Sequence, residues 1–492
     1  MNRFPFYALL FTAPFLSSFG VAHAEAPAPA TTFKPATLFS ASQISLKTLP
    51  NGVRGIVKAA PGSDLVNIQV WVKAGSRVES DKENGASHLL ELLALRGSKN
   101  YPAATGGDDD GGALGALRAL GGDGGSLTSR DSSFFSATVA APYAAQAVKI
   151  LADAALRPDL SASAVESVRL QAADDITRRL FDPVSLASDL AYATAFAKHP
   201  YRRPTIGTDG SIGSITPSAL RAFYGKHYVG GNITVVIVGQ ISGNDAQKLI
   251  AANFSSASAK KPTPLKLAAE APLKPDMVAR RRPVSREVID LAWRSPSVQN
   301  AADCVALDVL LSLWREGLDA NMRRLLMRDG EGGPLTPLVA SYDVDYLTQH
   351  DAGLFIISLV DPFDREGAVN TVLEEVKRVG EKGVSAEELE RAKAQLREQY
   401  IEQGETAAGQ AGAIGFYDVI ASHRFAIDYL DMCSKVSVAD LKRVATKYLV
   451  PDKFVRAEIL PMPRPRPDDQ PSGPVITAKY QQASDTTDEV TG

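Results

Sequence analysis

In "QISLKTLPNGVRGIVKAAPGSDLVNIQVWVKAG", residues 43–75, apolar and polar positions alternate in short runs, most clearly through "VNIQVWVKAG". A period of two predicts strands, and Asn51-Gly52 between two apolar runs predicts a hairpin turn. Further on the period lengthens to that of helices. "LSASAVESVRLQAADDITRRL" opens a helix at Ser161, and "VSAEELERAKAQLREQYIEQ" opens one at Ser385, with Glu388 completing a capping box.

The helical and alternating patterns recur in pairs. "ITPSALRAFYGKHYVGGNITVVIVG" begins at Ile215 and "VSVADLKRVATKYLVPDKFVRAEIL" at Val436. Aligned without a gap, Leu220 meets Leu441, Lys226 meets Lys447 and Val229 meets Val450. Each segment starts at a helix cap, Thr216 before Pro217 and Ser437 before Asp440, and ends in an alternating run. The helices at Ser161 and Ser385 lie at nearly the same spacing, so a duplicated unit is expected; chance similarity of capped helices is the alternative. Strands and helices segregate within each half, which favours an α+β fold over a parallel α/β sheet.

Composition adds boundaries. At 492 residues the chain exceeds one ordinary core, so two or more domains are expected. A net charge of -3 gives no reason to expect nucleic acid or a basic membrane patch. Met1 to Ala24 has a basic Arg3, an apolar run and Ala22-His23-Ala24, which reads as a secretory signal cut after Ala24. No later stretch reaches about 18 uninterrupted apolar residues, so no stable membrane anchor is expected after cleavage. The product would be exported, and periplasmic in a Gram-negative cell. Residues 25–43 read as a flexible lead-in, 44–254 and 284–462 as the two domains, 255–283 as a linker and 463–492 as a disordered tail. "RRRP" at the linker's end reads as a solvated basic turn, with anion binding as the alternative. Cys304 and Cys433 are the two cysteines; they read as separate buried thiols or, given export, as a disulfide.

The candidate chemistry lies in "GASHLLELLALRGSKNYP", residues 85–102. On a helix, residues four apart share a face, so two histidines at that spacing grip one zinc ion. A glutamate just before the second acts as base on bound water in the inverted motif H-x-x-E-H. Here the five residues are His88-Leu89-Leu90-Glu91-Leu92. The first ligand and the base are present; Leu92 replaces the second ligand. "TGGDDDGG", with Asp108, Asp109 and Asp110, lacks calcium-loop spacing and reads as a solvated loop. His199 and His227 read as packed structural residues. No nucleophile elbow or phosphate loop appears.

With these blocks in place, the chain resembles the pitrilysin/insulinase peptidases, which include the mitochondrial processing peptidase. The resemblance covers nearly all of 44–462: the opening strands and His88 helix, "LGGDGGSLTSRDSSFFSATV", and "HPYRRPTIGTDGSIGSITPSALRAFYGKHYVGGNITVVIVGQI". It implies two similar α+β domains, each a mostly antiparallel sheet packed with helices, facing each other across a chamber. It also implies a third, acidic zinc ligand at Asp175, or at Asp174 if the alignment slips by one. The family's substrate-binding Arg falls near Arg328, while Pro337 stands where its Tyr belongs; Tyr342 and Tyr346 are nearby. Members bind extended peptides at a sheet edge, which places Ser126, Leu127 and Thr128 as the docking segment. The expectation is therefore a non-catalytic homologue that pairs with a zinc-binding paralogous peptidase subunit or binds peptides itself. Glu91 would be a vestigial base, His88 and Asp175 vestigial ligands, and no cofactor is expected. One alternative is an active zinc metalloendopeptidase using His88, Glu91, Asp174 or Asp175 and a further ligand. The other is a structural scaffold.

Overall fold

Asn51-Gly52 turns the chain back on itself between β1 (Ile44–Thr48) and β2 (Arg54–Ala59), which pair antiparallel. Gly52 has φ +94°, and a Cβ there would come within 2.9 Å of the Gly231 nitrogen, so the turn requires glycine. The computed structural model describes residues 41–104, 111–315, 321–327 and 336–463. The signal segment, Asp108–Asp110, Arg328 and the tail from 464 lie outside the described residues.

The first half continues with β3 (Leu65–Val72), α1 (Ala86–Arg96), α2 (Gly112–Ala119), β4 (Asp123–Thr128), β5 (Ser133–Ala140), α3 (Ala144–Leu156) and α4 (Ala162–Arg179). It closes with α5 (Pro183–Ala195), α6 (Asp209–Ser214), α7 (Pro217–His227), β6 (Ile233–Gly239) and α8 (Gly243–Phe254). The second half holds β7 (Asp276–Arg282), β8 (Val288–Arg294), α9 (Ala301–Arg315), α10 (Asn321–Leu326), β9 (Val339–Tyr346) and β10 (Leu354–Pro362). It ends with α11 (Arg365–Lys382), α12 (Ala386–Gln403), α13 (Ala407–Ile420), α14 (His423–Lys435), α15 (Val438–Tyr448) and β11 (Val455–Pro461).

Two sheets result, ordered β1-β2-β6-β3-β5-β4 and β7-β11-β8-β10-β9. Apart from β1 they match strand for strand. In each, the last strand of that half runs parallel to one neighbour (β6 with β2, β11 with β7), and every other pair is antiparallel. The repeated helices correspond too: α4 and α12 start at the Ser161 and Ser385 caps, α7 and α15 at Thr216 and Ser437. The fold is α+β with two similar domains.

The halves exchange helices. α5, from the first half, packs on β8 and β11; α13, from the second, packs on β3 and β6. Small residues let α13 approach: a Cβ on Gly415 would fall 2.0 Å from Trp71 Nε1. Gln69 Nε2 donates to the Ala408 carbonyl at 3.1 Å and Lys58 Nζ to Gln410 Oε1 at 2.8 Å. Arg54 grips Asp418 through both carboxylate oxygens at 3.0 and 2.7 Å, and Thr234 Oγ1 donates to the same group. Ile56, Trp71, Phe134 and Val236 thereby join the core of the second half. Each exchanged helix covers part of the other half's sheet, whose apolar residues would otherwise meet water.

Hairpin tips also meet across the halves. His350 N donates to Asp131 Oδ2 at 3.0 Å, and Tyr201 Oη to Asp131 Oδ1 at 2.6 Å. His199 Nε2 stands 3.1 Å from Asp351 Oδ2, and Arg77 pairs with the same carboxylate. Burial opposes ionisation of Asp351, but His199, His350 and Arg77 hold it well below the usual carboxylate range.

The 255–283 linker needs correction. Its last residues, Asp276–Arg282, form β7, in parallel register with β11 from Asp276↔Val455 to Arg282↔Pro461. Local propensity hid this strand, since a short apolar run, Met277-Val278-Ala279, followed by three arginines shows no alternation; pairing with β11 decides it. Cys304 on α9 and Cys433 on α14 are both buried free thiols, not a disulfide. Burial pushes the Cys304 thiol up to about 12. Among the described residues no helix is long and apolar enough to cross a membrane.

Candidate functional site

α1 is buried from Ala86 to Leu95, so its apolar residues face packing on every side. Its start is held by a residue that carried no motif. Glu79, buried, accepts from the Gly85 and Ser87 amides at 2.9 and 2.8 Å, satisfying two donors that the helix end leaves open. Asn84 Nδ2 ties the same entry to the Pro204 carbonyl at 2.9 Å. His199, in the same block as Pro204, sits in the inter-half cluster rather than only packing. His227 packs on Phe223 with ring centroids 4.4 Å apart, and burial lowers it to about 4.

On α1, His88 Nδ1 lies 3.0 Å from Glu91 Oε2. His88 Nε2 faces Asp175 Oδ2 on α4 at 3.4 Å, an ion-pair distance without hydrogen-bond geometry. Asp174 is exposed. The buried stripe of α4, Val165, Val168, Ala172 and Ile176, contains the signal: at 100° per residue Asp175 flanks that stripe and Asp174 opposes it. Arg178 pairs with Asp175 from the solvent side. Glu91 Oε1 accepts from Ser126 Oγ at 2.6 Å. Burial disfavours the His88 imidazolium, but Asp175 and Glu91 outweigh it and raise the ring to about 9.

Ser126, Leu127 and Thr128 lie on β4, the outermost strand of the first sheet, paired only with β5. Ser126 points to Glu91, and Thr128 Oγ1 donates to the Ser87 carbonyl at 3.3 Å, so both face α1. Leu127 packs against the second half's core. Tyr342 Oη donates to the Trp314 carbonyl at 3.0 Å, and Tyr346 is buried beside Phe355.

The site can be tested against zinc, which the family resemblance implies. A zinc peptidase site needs three protein donors around an open fourth position. Leu92 is 9% exposed and belongs to the apolar cluster that includes Leu89, Leu93 and Val165. Glu91 is turned to His88 and Ser126. Among the described residues, no three His, Cys, Asp or Glu side chains form a group able to hold a metal ion. His88 and Asp175 alone do not fit zinc.

Comparison with known proteins follows the same residues. Positions 55–209 match the family model described as insulinase (peptidase family M16). Positions 214–396 match the one described as peptidase M16 inactive domain. The chain belongs to peptidase family M16. An uncharacterized zinc protease of Mycobacterium leprae is 28% identical over 209 residues, 42% of this chain and 45% of that relative, so the match spans less than half of it. The mitochondrial-processing peptidase subunit beta of Lentinula edodes is 26% identical over 433 residues, 84% of this chain and 89% of its own. The crystal structure of a peptidase M16 inactive domain from Pseudomonas fluorescens superposes with TM-score 0.73 at 22% identity, over 85% of this chain and 98% of that one. That likeness concerns the fold. Leu92, four residues after His88 on α1, lies within the apolar core of the first half.

Proposed function

We propose that this M16 chain is an exported, non-catalytic homologue that works as the partner subunit of a zinc-binding paralogous peptidase and presents the β4 edge to extended peptides. One observation carries the reading. Leu92 packs into the apolar cluster while Glu91 is bound by His88 and Ser126, so neither a second ligand nor a free base is available. No zinc is expected in the chain, and the compartment is the periplasm.

Two features support a partner. The β4 edge is left without a strand partner on its outer side, where an extended peptide shared with a second chain could add. Its relative in Lentinula edodes is itself named as a subunit. The β4 edge offers backbone donors and acceptors, which bind extended peptides without catalytic residues.

The test is zinc content per chain and cleavage of fluorogenic extended peptides by protein expressed from Glu25, beside His88→Ala and Glu91→Gln variants. The expected result is no zinc above the variants and no cleavage. Near-stoichiometric zinc, with chelator-sensitive cleavage abolished by Glu91→Gln, would instead establish an active peptidase.

A further inference from the structure

The two sheets differ by one strand, and the difference marks a place. In the first sheet β1 lies antiparallel along the outer edge of β2. The counterpart of β2 is β7, and among the described residues nothing pairs with its outer edge. The architecture thus accepts a further strand at this edge, as its own first half demonstrates.

β7 is largely exposed, touching α5 beside its pairing with β11. Met277, Ala279, Arg280 and Arg281 are exposed, Met277 at 58%. Arg280, Arg281 and Arg282 donate only to main-chain carbonyls, those of Ala279, Pro461 and Arg281. No carboxylate among the described residues pairs with them, whereas nearby Arg286 is held by Asp361 at 2.7 Å and Arg294 by Glu270 at 3.7 Å. Strand alternation puts Arg280 and Arg282 on one face and Arg281 on the other.

We infer that the outer edge of β7 is a docking site for an extended acidic segment of a partner protein, which adds as a sixth strand antiparallel to β7. The open main-chain groups supply strand pairing, and carboxylates at alternate positions, which share one face, meet Arg280 and Arg282. Arginines on an edge repel unselected apolar strands, which is how edges are guarded. The same charges favour an acidic strand over a second copy, since two copies would bring net-positive strands together. This edge belongs to the second sheet and does not depend on the reading of β4 or of His88.

The experiment is fluorescence anisotropy of the full chain with a labelled peptide of alternating Glu and Val. Controls are a Lys/Val peptide and a Glu/Val peptide of equal charge interrupted by proline. The acidic peptide should bind saturably and lose affinity with salt. The Lys and proline-interrupted peptides should not bind. Arg280→Glu with Arg282→Glu should weaken binding about tenfold or more. Amide exchange should slow over 276–282 and not over 123–128 when the peptide is bound. These peptide and exchange comparisons use the unaltered protein, so they stand even if the double variant fails to fold. Equal binding of the proline-interrupted peptide would reduce the effect to charge attraction and overturn the proposal. So would unchanged binding by a folded double variant, protection at 123–128 instead, or no binding at all.

Discussion

An isobutyl group at position 92 does more than omit a ligand. Leu92 belongs to the first half's apolar cluster, where a polar ring would have to be hydrogen-bonded to be tolerated. Leu92→Ala should cost about 2–4 kcal/mol, read as a lower thermal unfolding midpoint, because it opens a cavity in this cluster. A second residue-scale prediction concerns Asp290, buried on β8 with Oδ1 unpartnered. Burial, with Asp345 and Asp343 nearby, raises it to about 7. A carboxyl raised above its unfolded value of about 3.9 is fully accommodated below that pH, and the folded state loses stability as pH climbs toward 7. Asp290→Asn should therefore flatten the decline and stabilise the protein at pH 8 by about 1–3 kcal/mol in urea unfolding. Asp308, also raised to about 7 by burial, titrates in the same window, so part of the slope should persist.

Among elements, α13 is the sensitive one. Gly415→Ala places a methyl against the Trp71 indole, so it should lower stability by about 1–3 kcal/mol with no change in helix content by circular dichroism. The residues behind such contacts differ in how well the sequence announces them. Caps at Ser161, Thr216, Ser385 and Ser437 are local devices, and they disclosed the duplicated unit. The stripe of α4 held enough to choose Asp175 over Asp174. The partner of an apolar face is not a local property: the pattern of α13 says that one side is buried but not that the other half's sheet covers it. β7 was hidden for a related reason, its strand character coming from β11. Glu79 and His199 carry no spacing signature, because their partners are main-chain groups or residues far away in the chain.

For the whole molecule, the Arg54–Asp418 pair is the strongest test of how the halves hold together. Asp418 is 1% exposed and Arg54 30%, so removing Arg54 leaves a buried carboxylate held only by Thr234 and His423. Arg54→Ala should cost about 3 kcal/mol and split one calorimetric transition into two. The hairpin-tip cluster around Asp351 ties the halves at a second place, and Asp351→Asn should widen the first transition.

The exchange of α5 and α13 has a consequence in time. A ribosome delivers β3 and β6 long before residues 407–420, so the nascent first half carries an uncovered greasy surface through most of synthesis. Native contacts of such long sequence separation form slowly. A fragment ending at residue 254 should bind hydrophobic dyes and precipitate, and the growing chain should require a holding chaperone until α13 arrives.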